Sequence, residues 1–80
     1  MTERRAHYRQ PTFKAGMILF GQTSGISAMV KNLSEEGAML EVESVAGIPD
    51  QFTLVIESDH FKRDCKVAWR LTHRIGVSFL

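Results

Sequence analysis

The sequence holds a single cysteine, a single tryptophan and two prolines in 80 residues, and residues 32–59 contain no lysine or arginine. Each shortage excludes something. Cys65 alone cannot close an intramolecular disulfide, so the fold is no disulfide scaffold, and a reducing, cytoplasmic setting is expected. No apolar run reaches the roughly 18 residues of a membrane-spanning helix, so no span is expected. The charged N-terminal stretch has no apolar segment behind it of the kind a secretory signal carries. His7, His60 and His73 are scattered, without a second ligand at metal-binding spacing, so no metal or other cofactor is expected. Ser24, Ser27 and Ser34 have no recognisable base partner, and no Walker phosphate loop is present. The chain reads as a non-enzyme.

The residues that are present suffice for one small domain. Hydrophobic residues make up 44% and charged residues 24%, which is ordinary for a globular protein. A chain this short buries about 60–65% of its unfolded surface, so its core is small. Net charge is +1, but the charge is banded. Arg4, Arg5, Arg9 and Lys14 make the N-terminal segment basic. Glu35, Glu36, Glu41, Glu43, Asp50, Glu57 and Asp59 make the middle acidic. Lys62, Arg63, Lys66, Arg70 and Arg74 make the C-terminal third basic again. A protein that grips DNA or RNA by its backbone needs a broad basic face, which the acidic middle interrupts, so no nucleic-acid polymer is expected as a partner.

Alternation with period two dominates the chain and predicts strands. In FKRDCKVAWRL, Phe61, Arg63, Cys65, Val67, Trp69 and Leu71 share one face, apolar except for Arg63. Trp69 and Cys65 are therefore assigned to the core, and Trp69→Ala is expected to cost about 3–5 kcal/mol. RIGVSF follows after a short reversal, with Ile75, Val77 and Phe79 on one face. QFTLVIE places Phe52, Leu54 and Ile56 together, GAMLEVES places Ala38, Leu40 and Val42 together, and GISAMVKNLS places Ile26, Ala28 and Val30 together. KAGMILFG reads as a strand with no clear face. VAGIPDQ, residues 45–51, reads as the longest internal loop. These patterns predict an all-β fold over residues 13–80, a small six-stranded antiparallel barrel or sandwich, of which the closed barrel is the expected form because it removes exposed edges. Residues 1–12 read as a flexible arginine-bearing leader, and no clear C-terminal helix follows the last strand.

Two short patterns remain. Arg5 and Arg9 are spaced as RxxxR in the leader, with Arg4 beside them. Asn32, Ser34 and Gly37 form NxSxxG where two predicted strands meet. Each has a plain explanation alone: a solvated basic end, and a turn in which Asn and Ser bond their own backbone while Gly supplies positive φ. Taken together, in this order and ahead of a tryptophan-bearing strand and IGVSF, they resemble the PilZ domain over nearly the whole chain, residues 3–80. Asn32 stands where many members have Asp, and Glu36 where many have a second glycine.

The resemblance implies a bacterial receptor for the second messenger cyclic di-GMP, with a downstream protein partner. It implies that Arg5 and Arg9, with Arg4 third, clamp phosphate and guanine, that Asn32 and Ser34 meet base edges, and that Gly37 lets backbone come close. Arginine suits both halves of this ligand. Its planar fork matches the O6 and N7 acceptors of guanine and pairs with phosphate, which lysine does poorly. The alternative is a PilZ-like adaptor that binds no nucleotide and works through a protein partner alone.

Overall fold

The structure, a computed structural model, describes residues 10–80. Six strands follow in chain order: β1 (Gln10–Phe20), β2 (Ser24–Leu33), β3 (Gly37–Glu41), β4 (Gln51–Ile56), β5 (Phe61–Arg70) and β6 (Arg74–Phe79). A single 3-10 turn, Glu57–Asp59, links β4 to β5. The strands close into a barrel in the order β1-β2-β3-β6-β5-β4, and every neighbouring pair is antiparallel. Closure gives each described strand a neighbour on both sides, although β1 meets β4 only at Met17–Leu19; this limits exposed sheet edge. It also sets β1 and β6 on opposite walls, three strands apart in the ring.

The alternation fills the interior as expected along most strands. Ile18, Val30, Leu40, Leu54, Ile56, Cys65 and Ile75 are fully buried. Complete burial of such a side chain contributes about 1.5–3 kcal/mol. Exposed ion pairs such as Lys14–Asp59 at 2.6 Å and Arg70–Asp50 at 2.8 Å are screened by solvent and contribute little, so interior packing holds the barrel. Burial pushes the Cys65 thiol up to about 11, which keeps it protonated and makes it a small hydrophobe in function.

β1 shows no clear face in the sequence because both of its faces are apolar. Ile18 points into the core, while Phe13, Met17 and Leu19 lie on the outer wall and are exposed. The segment after β3 is more than a loop. Ile48 and Val42 are buried in the core cluster, with Val45 packed against it, so this connection folds inward beside the barrel.

The structure departs from the sequence reading at Trp69. Strict alternation assigned it to the core with Cys65, yet it is 40% exposed, and Leu71 is 61% exposed. The cause is a bulge in β5. Val67 pairs with Val77, but Trp69 pairs with Gly76, so Ala68 is the extra residue. One inserted residue reverses every side chain after it. Cys65 and Val67 keep the inward parity and pack on the core, while Trp69 is turned to the outer wall. The large destabilisation expected of Trp69→Ala therefore gives way to a mild one.

β2 carries a second bulge of the same kind. Val30 pairs with Leu40, but Asn32 pairs with Met39, which leaves Lys31 as the extra residue. Val30 is buried and Leu33 packs on the core, so the bulge exchanges parity and directs Asn32 outward.

Candidate functional site

The two bulges act on the same level of the barrel. Asn32 on β2 pairs with Met39 on β3, Met39 pairs with Gly76 on β6, and Gly76 pairs with Trp69 on β5. Four adjacent strands thus present one row on the outer wall: a carboxamide, a thioether, a bare backbone position and an indole. Without the bulge at Lys31 the carboxamide would face the core, and without the bulge at Ala68 the indole would.

Beside this row lies the β2–β3 turn, and between them is an open cleft of about 430 Å³ lined by Asn32, Ser34, Glu36, Gly37, Met39, Trp69 and Ser78 among others. The volume falls in the range of small-ligand sites. The indole lies across Gly76: a Cβ built there would strike the ring atoms Cε2, Nε1 and Cζ2. Gly76 is accordingly buried, although it sits on the outward side of its strand. Among the described residues the indole N–H makes no hydrogen bond, and the Asn32 carboxamide makes a single one, a long 4.0 Å contact from Nδ2 to the Met39 sulfur. Both residues line the cleft with hydrogen-bonding capacity to spare.

Ser34 is differently placed. Its hydroxyl accepts from the backbone N–H groups of Glu36 and Gly37, each at 3.2 Å, and donates to the Gly37 carbonyl at 3.3 Å. One donor and two acceptor positions are the full capacity of a hydroxyl. Ser34 thus holds the turn in shape. The backbone completes the clamp: the Ser34 N–H donates to the Gly37 carbonyl at 2.9 Å, and the Phe79 N–H donates to the Glu36 carbonyl at 2.8 Å. The turn is tied to β6 as well as to itself.

Gly37 is a glycine for a different reason from the one its turn position suggests. Positive φ among the described glycines occurs at Gly21 and Gly47, not at Gly37. A Cβ at Gly37 would instead collide with the Val77 carbonyl oxygen of β6. The missing side chain allows β3 to start this close to β6, and that closeness sets the near wall of the cleft.

The structure thus brings Asn32, Ser34 and Gly37 to one cleft. Arg4, Arg5 and Arg9 lie outside the described residues. Three residues that sequence reasoning did not assign to the site also belong to this cleft: Trp69, Met39 and Ser78. Ser78 pairs with Gly37 across β3–β6 and is exposed, so its hydroxyl stands where its neighbour has no side chain. A signal for Trp69 existed in Gly76, since a glycine inside a strand marks a bulge or a close approach. Here it marks the approach of the one large ring that needs the space.

The profile of the PilZ domain family matches residues 3–80. The chain belongs to the PilZ domain family. PilZ domains are receptor and adaptor domains for cyclic di-GMP, and the NxSxxG motif of this PilZ domain is the turn that borders the cleft. No curated protein sequence matches this chain. Among the described residues no cluster of three or more His, Cys, Asp or Glu side chains is arranged to hold a metal ion, and no helix is long and apolar enough to cross a membrane.

Proposed function

We propose that this PilZ domain binds cyclic di-GMP in the outer cleft bounded by Asn32, Gly37 and Trp69, and acts as a cytoplasmic signalling receptor that passes its ligand state to a protein partner. The observation that supports this most is the convergence of both bulges on one cleft: the carboxamide of Asn32, the first residue of the family's second motif, and the exposed indole of Trp69 line it together.

The chemistry of the ligand fits these parts. Cyclic di-GMP offers two flat purines and two phosphates. An aromatic ring that stacks a base contributes about 1–3 kcal/mol, and Trp69 is exposed for that purpose. The Asn32 carboxamide has both a donor and an acceptor to offer a guanine edge. Ser34 supports this from behind by fixing the turn. The leader's Arg5 and Arg9, with Arg4 beside them, supply the guanidinium forks that phosphate and the O6/N7 edge of guanine require. Glu36 lines the cleft, and an arginine bound near it offsets its repulsion of a dianionic ligand.

Calorimetric titration tests this reading. Cyclic di-GMP is expected to give a saturable heat. Cyclic di-AMP is expected to bind at least tenfold more weakly, because its amino group replaces the O6 acceptor and leaves an arginine proton unpaired. GTP, with one base and a different phosphate geometry, is expected to bind weakly too. Equal affinity for the two cyclic dinucleotides would remove the guanine-edge argument. No heat with any of them would favour an adaptor that works without nucleotide.

A further inference from the structure

Gly76 has no polar group to offer a ligand, and its φ is not positive, so turn geometry does not explain it. It sits inside β6, where a glycine weakens a strand relative to residues with side chains. What requires it is the indole on the neighbouring strand. The three nearest atoms to a Cβ at this position all belong to the Trp69 ring, each within 3.0 Å, a separation that packed atoms do not sustain. The Ala68 bulge turns Trp69 outward, and the bare backbone at Gly76 then gives the ring a place to lie. With any side chain at Gly76, the indole must lift away from the sheet and tilt across the cleft that Asn32, Met39 and Ser78 share with it.

We propose that Gly76 is a positioning residue for ligand binding: it seats the indole of Trp69 along the wall of the cleft, so that the exposed ring face can stack a planar purine. The proposal rests on the cleft being the ligand site. It assigns Gly76 no contact of its own with the ligand, and it makes the recessed seat, as well as the presence of a tryptophan, a condition for binding.

A double-variant cycle tests it, using the wild-type chain, Gly76→Ala, Trp69→Ala and the two combined. Trp69 is the single tryptophan, so its emission reports one environment. Without ligand, Gly76→Ala is expected to shift that emission to longer wavelength and to raise quenching by acrylamide, as the ring leaves its seat. Cyclic di-GMP binding is expected to weaken at least tenfold in Gly76→Ala and in Trp69→Ala. In the Trp69→Ala background, adding Gly76→Ala is expected to change affinity by less than twofold, because the ring on which Gly76 acts is gone. Should Gly76→Ala alone fail to fold, the combined variant is expected to fold, since removing the indole removes the atoms that the new Cβ strikes.

Unchanged emission in Gly76→Ala, additive losses of affinity, or an unfolded combined variant would each overturn the proposal. A wild-type chain that takes up no cyclic di-GMP would overturn the functional reading and the ligand half of this one. The emission experiment separates that outcome from a failure of the seating itself, because it needs no ligand.

Discussion

Gly37→Ala is expected to lower the melting temperature by about 10–20 °C and to abolish measurable cyclic di-GMP binding. The new Cβ would meet the Val77 carbonyl oxygen, and a backbone atom in a paired strand cannot turn aside as a flexible side chain can. Overpacking of this kind costs about 1–3 kcal/mol. Relieving it means parting β3 from β6, which loosens the bond from the Phe79 N–H to the Glu36 carbonyl. In a domain of this size about 1 kcal/mol corresponds to 4–8 °C. The same movement displaces the turn that Ser34 holds, and with it the near wall of the cleft. Gly25→Ala is the control. Its Cβ would come no closer than 3.2 Å, and the nearest atom is the far end of the Leu19 side chain, so a shift of a few degrees at most is expected. Thermal denaturation followed by circular dichroism, with a titration of each folded variant, checks both. Equal stability of the two variants would mean that β3 does not need its close approach to β6.

Arg5→Ala and Arg9→Ala are each expected to weaken cyclic di-GMP binding by about ten- to a hundredfold. Each removes charge-assisted hydrogen bonds worth about 1.5–3 kcal/mol. Arg4→Ala is expected to have the smallest effect of the three. Arg9→Lys is expected to fall between wild type and Arg9→Ala, because lysine keeps the charge but loses the planar fork. Truncating an arginine empties no apolar core position, so the melting temperature is expected to move by no more than a few degrees. Calorimetry and thermal melts on the four variants check these outcomes. A large loss of stability without ligand would place the arginines in the structure of the barrel, and unchanged affinity would remove them from the site.

The barrel was legible because its interior obeys period two. Phe52, Leu54 and Ile56 on β4, like Ile26, Ala28 and Val30 on β2, alternate without interruption, and such runs specify both a strand and its buried face. β1 resisted because Met17 and Leu19 on its outer side are as apolar as Ile18 within. The motif at Asn32, Ser34 and Gly37 could be placed at a strand junction from its residue types, but not the division of labour within it. Ser34 holds the turn, Gly37 permits a strand contact, and Asn32 alone keeps hydrogen-bonding capacity for the cleft. Trp69 was misplaced for a definite physical reason. A bulge adds one residue without any compositional mark of its own, so alternation carried past Ala68 reverses the face of everything beyond it. Arg63, a charge within the otherwise apolar set of β5, is exposed, with its guanidinium 5.0 Å from the centre of the Phe79 ring.

The central claim is that ligand enters the outer wall of β2, β3, β6 and β5, at the row running from Asn32 to Trp69. Amide and indole chemical shifts followed through a titration with cyclic di-GMP test it most directly. The largest changes are expected at the amides of Asn32, Gly37, Gly76 and Ser78 and at the indole N–H of Trp69. The amides of Ile18 on β1 and Leu54 on β4 are expected to hold still. Changes centred on Met17 and Leu19 of β1 and on Val55 of β4, which pairs with Met17, with the Trp69 indole unmoved, would contradict the account.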